Sequence, residues 1–65
     1  MMYQSGSNLR TSADLDNAIL FRLNVSVWQD GQIVDYGGYL ESFSDYSVKI
    51  NGARYFRALC EFRVR

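Results

Sequence analysis

The stretch that decides the fold is Gly37–Ile50, GGYLESFSDYSVKI. Two glycines open it, and an alternating run follows as far as Phe43. Ser44-Asp45 makes a small polar turn, and a second alternating run sets Tyr46, Val48 and Ile50 on one face. Successive side chains of a strand point to opposite faces of a sheet, so this pattern predicts strand, tight turn and partner strand. Gly37-Gly38 interrupts what would otherwise be one long strand from Ile33 to Phe43. Glycines inside a strand mark a bulge or a barrel corner, and a strand bent in its middle can serve both halves of a small barrel. A plain loop between two short strands is the simpler alternative.

Working upstream, Phe21, Leu23, Val25 and Val27 alternate with polar residues and predict a half-buried strand. Asp30-Gly31 follows as a tight hairpin turn, because both residues tolerate positive φ. Downstream, Asn51-Gly52 is the strongest two-residue hairpin signal in the chain. A turn there sets Ile50 opposite Ala53, Lys49 opposite Arg54 and Val48 opposite Tyr55. Ala53–Arg57 reads as the fourth strand, Ala58-Leu59 as a short connection, and Cys60, Phe62 and Val64 as the inward face of the fifth. At the other end, residues 1–10 (MMYQSGSNLR) are polar and contain Gly and Ser, which predicts a flexible arm. Thr11-Ser12 can cap a short helix whose apolar face is Leu15, Ala18 and Ile19. The expectation is a single domain over residues 11–65, all-β: a small, five-stranded, strongly bent antiparallel barrel of Sm-like or SH3-like type, with room for a short N-terminal helix. With no helices to cover an open sheet, five short strands must curl on themselves to make a core.

Composition narrows the function. At 65 residues the chain belongs to the size class that often needs disulfides, metals or oligomerisation for stability. Cys60 is the one cysteine and histidine is absent, so an internal disulfide and a structural zinc site are excluded. Self-sufficiency or a homo-oligomer remains. No apolar run approaches the 18 residues or so of a membrane span, no signal peptide is visible, and a lone thiol suits a reducing compartment. A soluble, cytoplasmic protein with no membrane partner is the expectation. The net charge of zero hides a split: residues 1–45 carry −4 and residues 46–65 carry +4. Such asymmetry fits an anionic partner, or two halves that attract one another.

Little in the sequence looks catalytic. The usual general base and metal ligand are missing with histidine, and Gly37-Gly38 lacks the spacing of a phosphate loop. Neither an enzyme nor a bound metal or cofactor is expected. Binding chemistry is better represented. Trp28, Tyr36, Tyr39, Phe43, Tyr46 and Phe56 lie outside the core alternation or at turns. Aromatics beside cations are the ingredients of base stacking and phosphate contact, as they are of a subunit interface. Lys49 opposite Arg54 is a like-charged pair, mildly unfavourable unless an anion sits there or the side chains splay into solvent.

One block resembles a known family. Gly38-Tyr39-Leu40-Glu41-Ser42-Phe43-Ser44-Asp45-Tyr46-Ser47-Val48 is similar to the first motif of the bacterial Sm-like (Hfq-type) proteins, approximately G-x-[IL]-x-[SG]-F-D-x-[FY]-x-[VL]. Ser44 stands where the family has Asp. Phe56-Arg57-Ala58-Leu59 looks like a reduced form of the second motif, Y-K-H-A-I, without its His. The resemblance implies a ring-forming homo-oligomer whose fourth and fifth strands pair between neighbours and which binds single-stranded RNA. Carried over by position, Tyr46 is the stacking aromatic and Arg57 the phosphate or base contact. The like-charged Lys49–Arg54 pair, read from the hairpin register and not from the resemblance, adds two further candidates for binding RNA or another anion. A second likeness joins Trp28-Gln29 and Gly31-Gln32-Ile33-Val34 to type II dihydrofolate reductases, but their V-Q-I-Y run has no counterpart here. The alternative to RNA binding is an SH3-like protein-interaction or structural barrel, such as a phage or mobile-element accessory protein.

Overall fold

The computed structural model describes residues 3–65. Helix α1 (Ser12–Leu20) is followed by β1 (Asn24–Gln29), β2 (Gln32–Phe43), β3 (Ser47–Ile50), β4 (Ala53–Phe56) and β5 (Glu61–Val64). The five strands form one antiparallel sheet in the order β4-β3-β2-β1-β5. The protein is thus a small all-β fold with one short helix.

Gly37-Gly38 lies inside β2 and not in a loop. The first part of this strand pairs with β1 and the last part with β3, so β2 belongs to both halves of the sheet. Between the pairs Val25–Gly38 and Val27–Asp35, Ser26 faces both Tyr36 and Gly37, which is a bulge. Gly37 has φ 77°, and a Cβ on it would overlap the Val25 carbonyl. The strand bends where only glycine lets β1 come so close. The Asn51 amide fastens the bend by donating to the Gly37 carbonyl at 2.6 Å.

The sheet curls without closing. Tyr55 on β4 donates its hydroxyl to Asp35 in the first half of β2, which brings β4 back over the interior. Yet β4 and β5 are the two outer strands and do not pair with each other. The expected barrel is therefore an open, curled sheet. Val25, Val27, Val48 and Ile50 are fully buried inside it, together with Leu15 and Ala18 of α1. Each large apolar side chain buried this way contributes roughly 1.5–3 kcal/mol.

The helix begins at a capping box. Thr11 Oγ1 accepts from the Asp14 N–H, and the Asp14 carboxylate accepts from the Thr11 N–H. Its end explains why β1 is shorter than the alternation predicts. The Phe21, Arg22 and Leu23 N–H groups still bond back to Asn17, Ile19 and Ala18, and Arg22 takes φ 52°. Phe21 therefore belongs to the helix cap and is exposed.

The N-terminal segment departs furthest from expectation. Its first two residues lie outside the described residues, but from Tyr3 onward it packs on the domain. Leu9 is buried in the core. Asn8 bridges Arg63 of β5. The Tyr3 hydroxyl donates to Asp14 at 2.8 Å and accepts from the Asn17 amide. An alternation of only four residues, with a single large apolar member, is too weak a signal to read as an edge strand.

Candidate nucleic-acid interface

The structure divides the four residues singled out from sequence between two faces. Val48 and Ile50 point into the core, so Lys49 between them projects from the opposite face of β3. The Asn51-Gly52 turn, with φ of 52° and 79°, sets Arg54 directly across from it. On the same face Phe56 lies opposite Ser47 and is 63% exposed. Lys49 and Arg54 thus stand side by side next to an exposed aromatic ring. Among the described residues the one ion pair joins Arg63 to Glu61 at 3.1 Å, so neither cation of the Lys49–Arg54 pair is neutralised.

Arg57 points the other way, toward the helix. Its guanidinium donates to the Ser44 carbonyl at 2.7 Å and to Ser12 Oγ at 3.2 Å, and lies 5.9 Å from the centre of the Phe43 ring. Its N–H donates to the Tyr46 carbonyl. Tyr46 and Arg57 are therefore neighbours. Tyr46 is 78% exposed, leaving its ring free for a partner. Beside Arg57 a cavity of about 290 Å³ is lined by Asn8, Arg10, Cys60, Glu61 and Phe62. Arg10 and Arg57 bring positive charge to it and Glu61 a negative one.

Ser44 stabilises the turn between β2 and β3 with its own hydroxyl. Its hydroxyl accepts from the N–H groups of Tyr46 (3.2 Å) and Ser47 (3.1 Å). A carboxylate at this position would do the same work more strongly.

The remaining cations are already engaged. Arg63 stacks on Trp28 at 4.3 Å, Arg22 on Tyr39 at 5.4 Å and Arg65 on Tyr36 at 5.7 Å. Trp28 Nε1 donates to Ser26 Oγ, which itself donates to the Arg63 carbonyl. Trp28, Ile33, Tyr36, Arg63 and Arg65 line a second, more open hollow of about 300 Å³. Sequence reasoning flagged Trp28, Tyr36 and Tyr39 as aromatics outside the core but missed their arginine partners. For Arg63–Trp28 and Arg65–Tyr36 the pairing depends on the β1–β5 register, which no turn specifies because the two strands are far apart in the chain.

The titrating groups are structural in character. Hydrogen bonds from the Thr11 N–H, then the Tyr3 hydroxyl, then the Arg10 N–H hold Asp14 below the ordinary carboxylate range. The Tyr55 hydroxyl and the Gly37 N–H do the same for Asp35, and Tyr55 in turn is pushed up to about 12, chiefly by that hydrogen bond. Burial raises the Cys60 thiol, which disfavours the thiolate a reactive cysteine needs. Among the described residues no helix is long and apolar enough to cross a membrane.

No family model matches the chain, and neither a curated protein nor a solved structure matches it.

Proposed function

We propose that the protein is an oligomeric, Sm-like small protein built on a curled sheet, that it binds single-stranded RNA or a similar anionic polymer, and that it has no catalytic role. The observation that carries this reading is the Lys49–Arg54 pair, held face to face by a rigid hairpin with no carboxylate between them and with Phe56 beside it. Two like charges directly opposite on a sheet repel. A phosphate between them turns that cost into two charge-assisted contacts, while an exposed ring supplies a stacking platform for a base. Tyr46 and Arg57 offer the same combination on the helix side. The Sm-like part of the reading is supported by the bent β2 shared between both sheet halves and by the placement of β4 and β5 at the two edges. A lone, half-buried thiol fits a cytoplasmic setting.

Exposed Tyr46, Phe56 and Leu59 favour a second reading, a protein-interaction barrel that presents these side chains to a polypeptide. Fluorescence anisotropy with labelled oligo-U and oligo-A at two salt concentrations separates the two. RNA binding predicts saturable association that weakens steeply with salt, because each phosphate contact releases counterions. Absence of binding at micromolar protein, or binding indifferent to salt, favours the protein partner.

A further inference from the structure

The two edges of this open sheet are finished differently, and the difference bears on how copies of the chain associate. The outer edge of β4 presents the N–H and C=O of Arg54 and the N–H of Phe56, since Ala53 and Tyr55 turn theirs toward β3. On β5 the outward backbone groups belong to Phe62 and Val64, and the N-terminal segment occupies them. Gly6 N–H donates to the Val64 carbonyl (2.6 Å), Val64 N–H donates to the Ser7 carbonyl (2.9 Å), and Leu9 N–H donates to the Phe62 carbonyl (2.8 Å). Residues 6–9 thus act as a sixth, antiparallel edge strand supplied in cis. Covering an edge this way prevents its pairing with another chain.

We propose that residues 6–9 are a displaceable strap, and that they compete with the β4 strand of a second copy for the β5 edge. This inference rests on the oligomeric reading above and adds its control: a copy with its strap seated offers β4 alone, and a copy with its strap released offers both edges and can propagate head to tail. Three observations support displacement. The strap is short and lies on one side of a four-residue strand. Its seat is imperfect at the central bridge, where Asn8 Oδ1 and Arg63 Nε are each buried without a hydrogen-bond partner; such orphaned groups weaken the docked state. And β4 brings exposed Phe56, with Leu59 just beyond it, to cover the apolar seat that Leu9 vacates. The strap is held at its far end by the Tyr3–Asp14 hydrogen bond, outside the sheet itself.

Two variants test the competition from opposite sides. Gly6 has φ 90°; Gly6→Pro cannot adopt that angle and removes the N–H that bonds Val64, so it releases the strap. Asn8→Cys with Arg63→Cys and Cys60→Ser locks it, because a cross-strand pair flanked by, and not sharing, hydrogen bonds is close enough for a disulfide. Light scattering and native mass spectrometry across a concentration series read the result. Gly6→Pro is expected to assemble at about tenfold lower concentration than the unaltered chain, equivalent to about 1.4 kcal/mol. The locked variant stays monomeric when oxidised and assembles once reduced. Equal assembly of its oxidised and reduced forms overturns the strap while leaving the oligomeric reading intact. Failure of Gly6→Pro and of the reduced variant to associate at any concentration overturns the oligomeric reading, and the strap's role with it.

Discussion

The β1–β5 half of the sheet and the β3–β4 half carry comparable chemistry in opposite states of use. In the first, three arginines are committed: Arg63 to Trp28 and Glu61, Arg65 to Tyr36, and Arg22, just past the end of α1, to Tyr39. Its edge is covered by residues 6–9. In the second, Lys49 and Arg54 face each other without a counter-charge, Phe56 and Tyr46 are bare, and the edge is open. The comparison teaches that net charge is a poor guide to function in a chain whose total is zero. What matters is which cations folding has already satisfied, and the C-terminal hairpin holds two that it has not, Lys49 and Arg54.

The most severe way to break the comparison is to remove the bend that joins the two halves. Gly37→Ala puts a methyl group into the Val25 carbonyl at φ 77°. Unfavourable backbone alone costs about 1–3 kcal/mol, and the overlap forces β1 and β2 apart as well. In a domain of this size, with about 5 kcal/mol of total stability, the expected outcome is an unfolded or molten chain by circular dichroism and urea titration. Gly38→Ala is the control. A Cβ there meets the Asn51 side chain at 2.7 Å, which can swing away for the loss of one hydrogen bond, about 1 kcal/mol. If both variants unfold alike, the bend is not specific to Gly37.

A smaller effect is expected at the anchor of the N-terminal segment. Asp14 gathers the Tyr3 hydroxyl and the Arg10 and Thr11 N–H groups, so Asp14→Ala removes a helix cap and frees the strap at once. A loss of about 1–2 kcal/mol is expected, with faster amide exchange in β5 than in β3. The pH dependence has a definite sign. Asp14 and Asp35 both titrate lower in the folded chain than in the unfolded one. Their contribution is therefore complete above the ordinary carboxylate range and is lost as pH falls through their depressed folded values. Urea midpoints should hold steady from neutrality down to about pH 5 and drop below about pH 4, and Asp14→Ala should flatten part of that drop. An unchanged acid limb would place the anchoring elsewhere.

How much of this was legible in the sequence follows from the range of the interactions. The hairpins were readable because Asp30-Gly31 and Asn51-Gly52 fix register locally, and Lys49 opposite Arg54 follows from counting outward from the second turn. The helix was readable from Leu15 and Ala18 at helical spacing. The pairing of β1 with β5 and of both with residues 6–9 was not. These contacts join Val25 to Val64 and Asn8 to Arg63, and no local pattern specifies a register across most of the chain. The same distance hid the stacks of Arg63 on Trp28 and Arg65 on Tyr36, and the contact of Arg57 with Ser12. Half the candidate site was thus visible as a pair, and its division between two faces was not.

The smallest effect is also the one with opposite signs in its two readouts. Lys49→Ala removes one member of a like-charged cross-strand pair that lies on the sheet face away from the core. Stability should rise slightly, by about 0.2–0.5 kcal/mol, because repulsion across the hairpin is relieved. Affinity for oligo-U should fall, and the slope of log K against log salt should become shallower by about 0.7, the share of one phosphate contact on a single strand. Tyr46→Ala should leave stability unchanged while weakening binding with no change in slope, since a stacked ring carries no charge. A Lys49→Ala chain that is less stable would mean that the lysine stem packs against Ser42 or Phe56 and serves the fold. One that is more stable but binds with an unaltered slope would move the anion to Arg57 on the helix side, where the guanidinium is already fixed by Ser44 and Ser12.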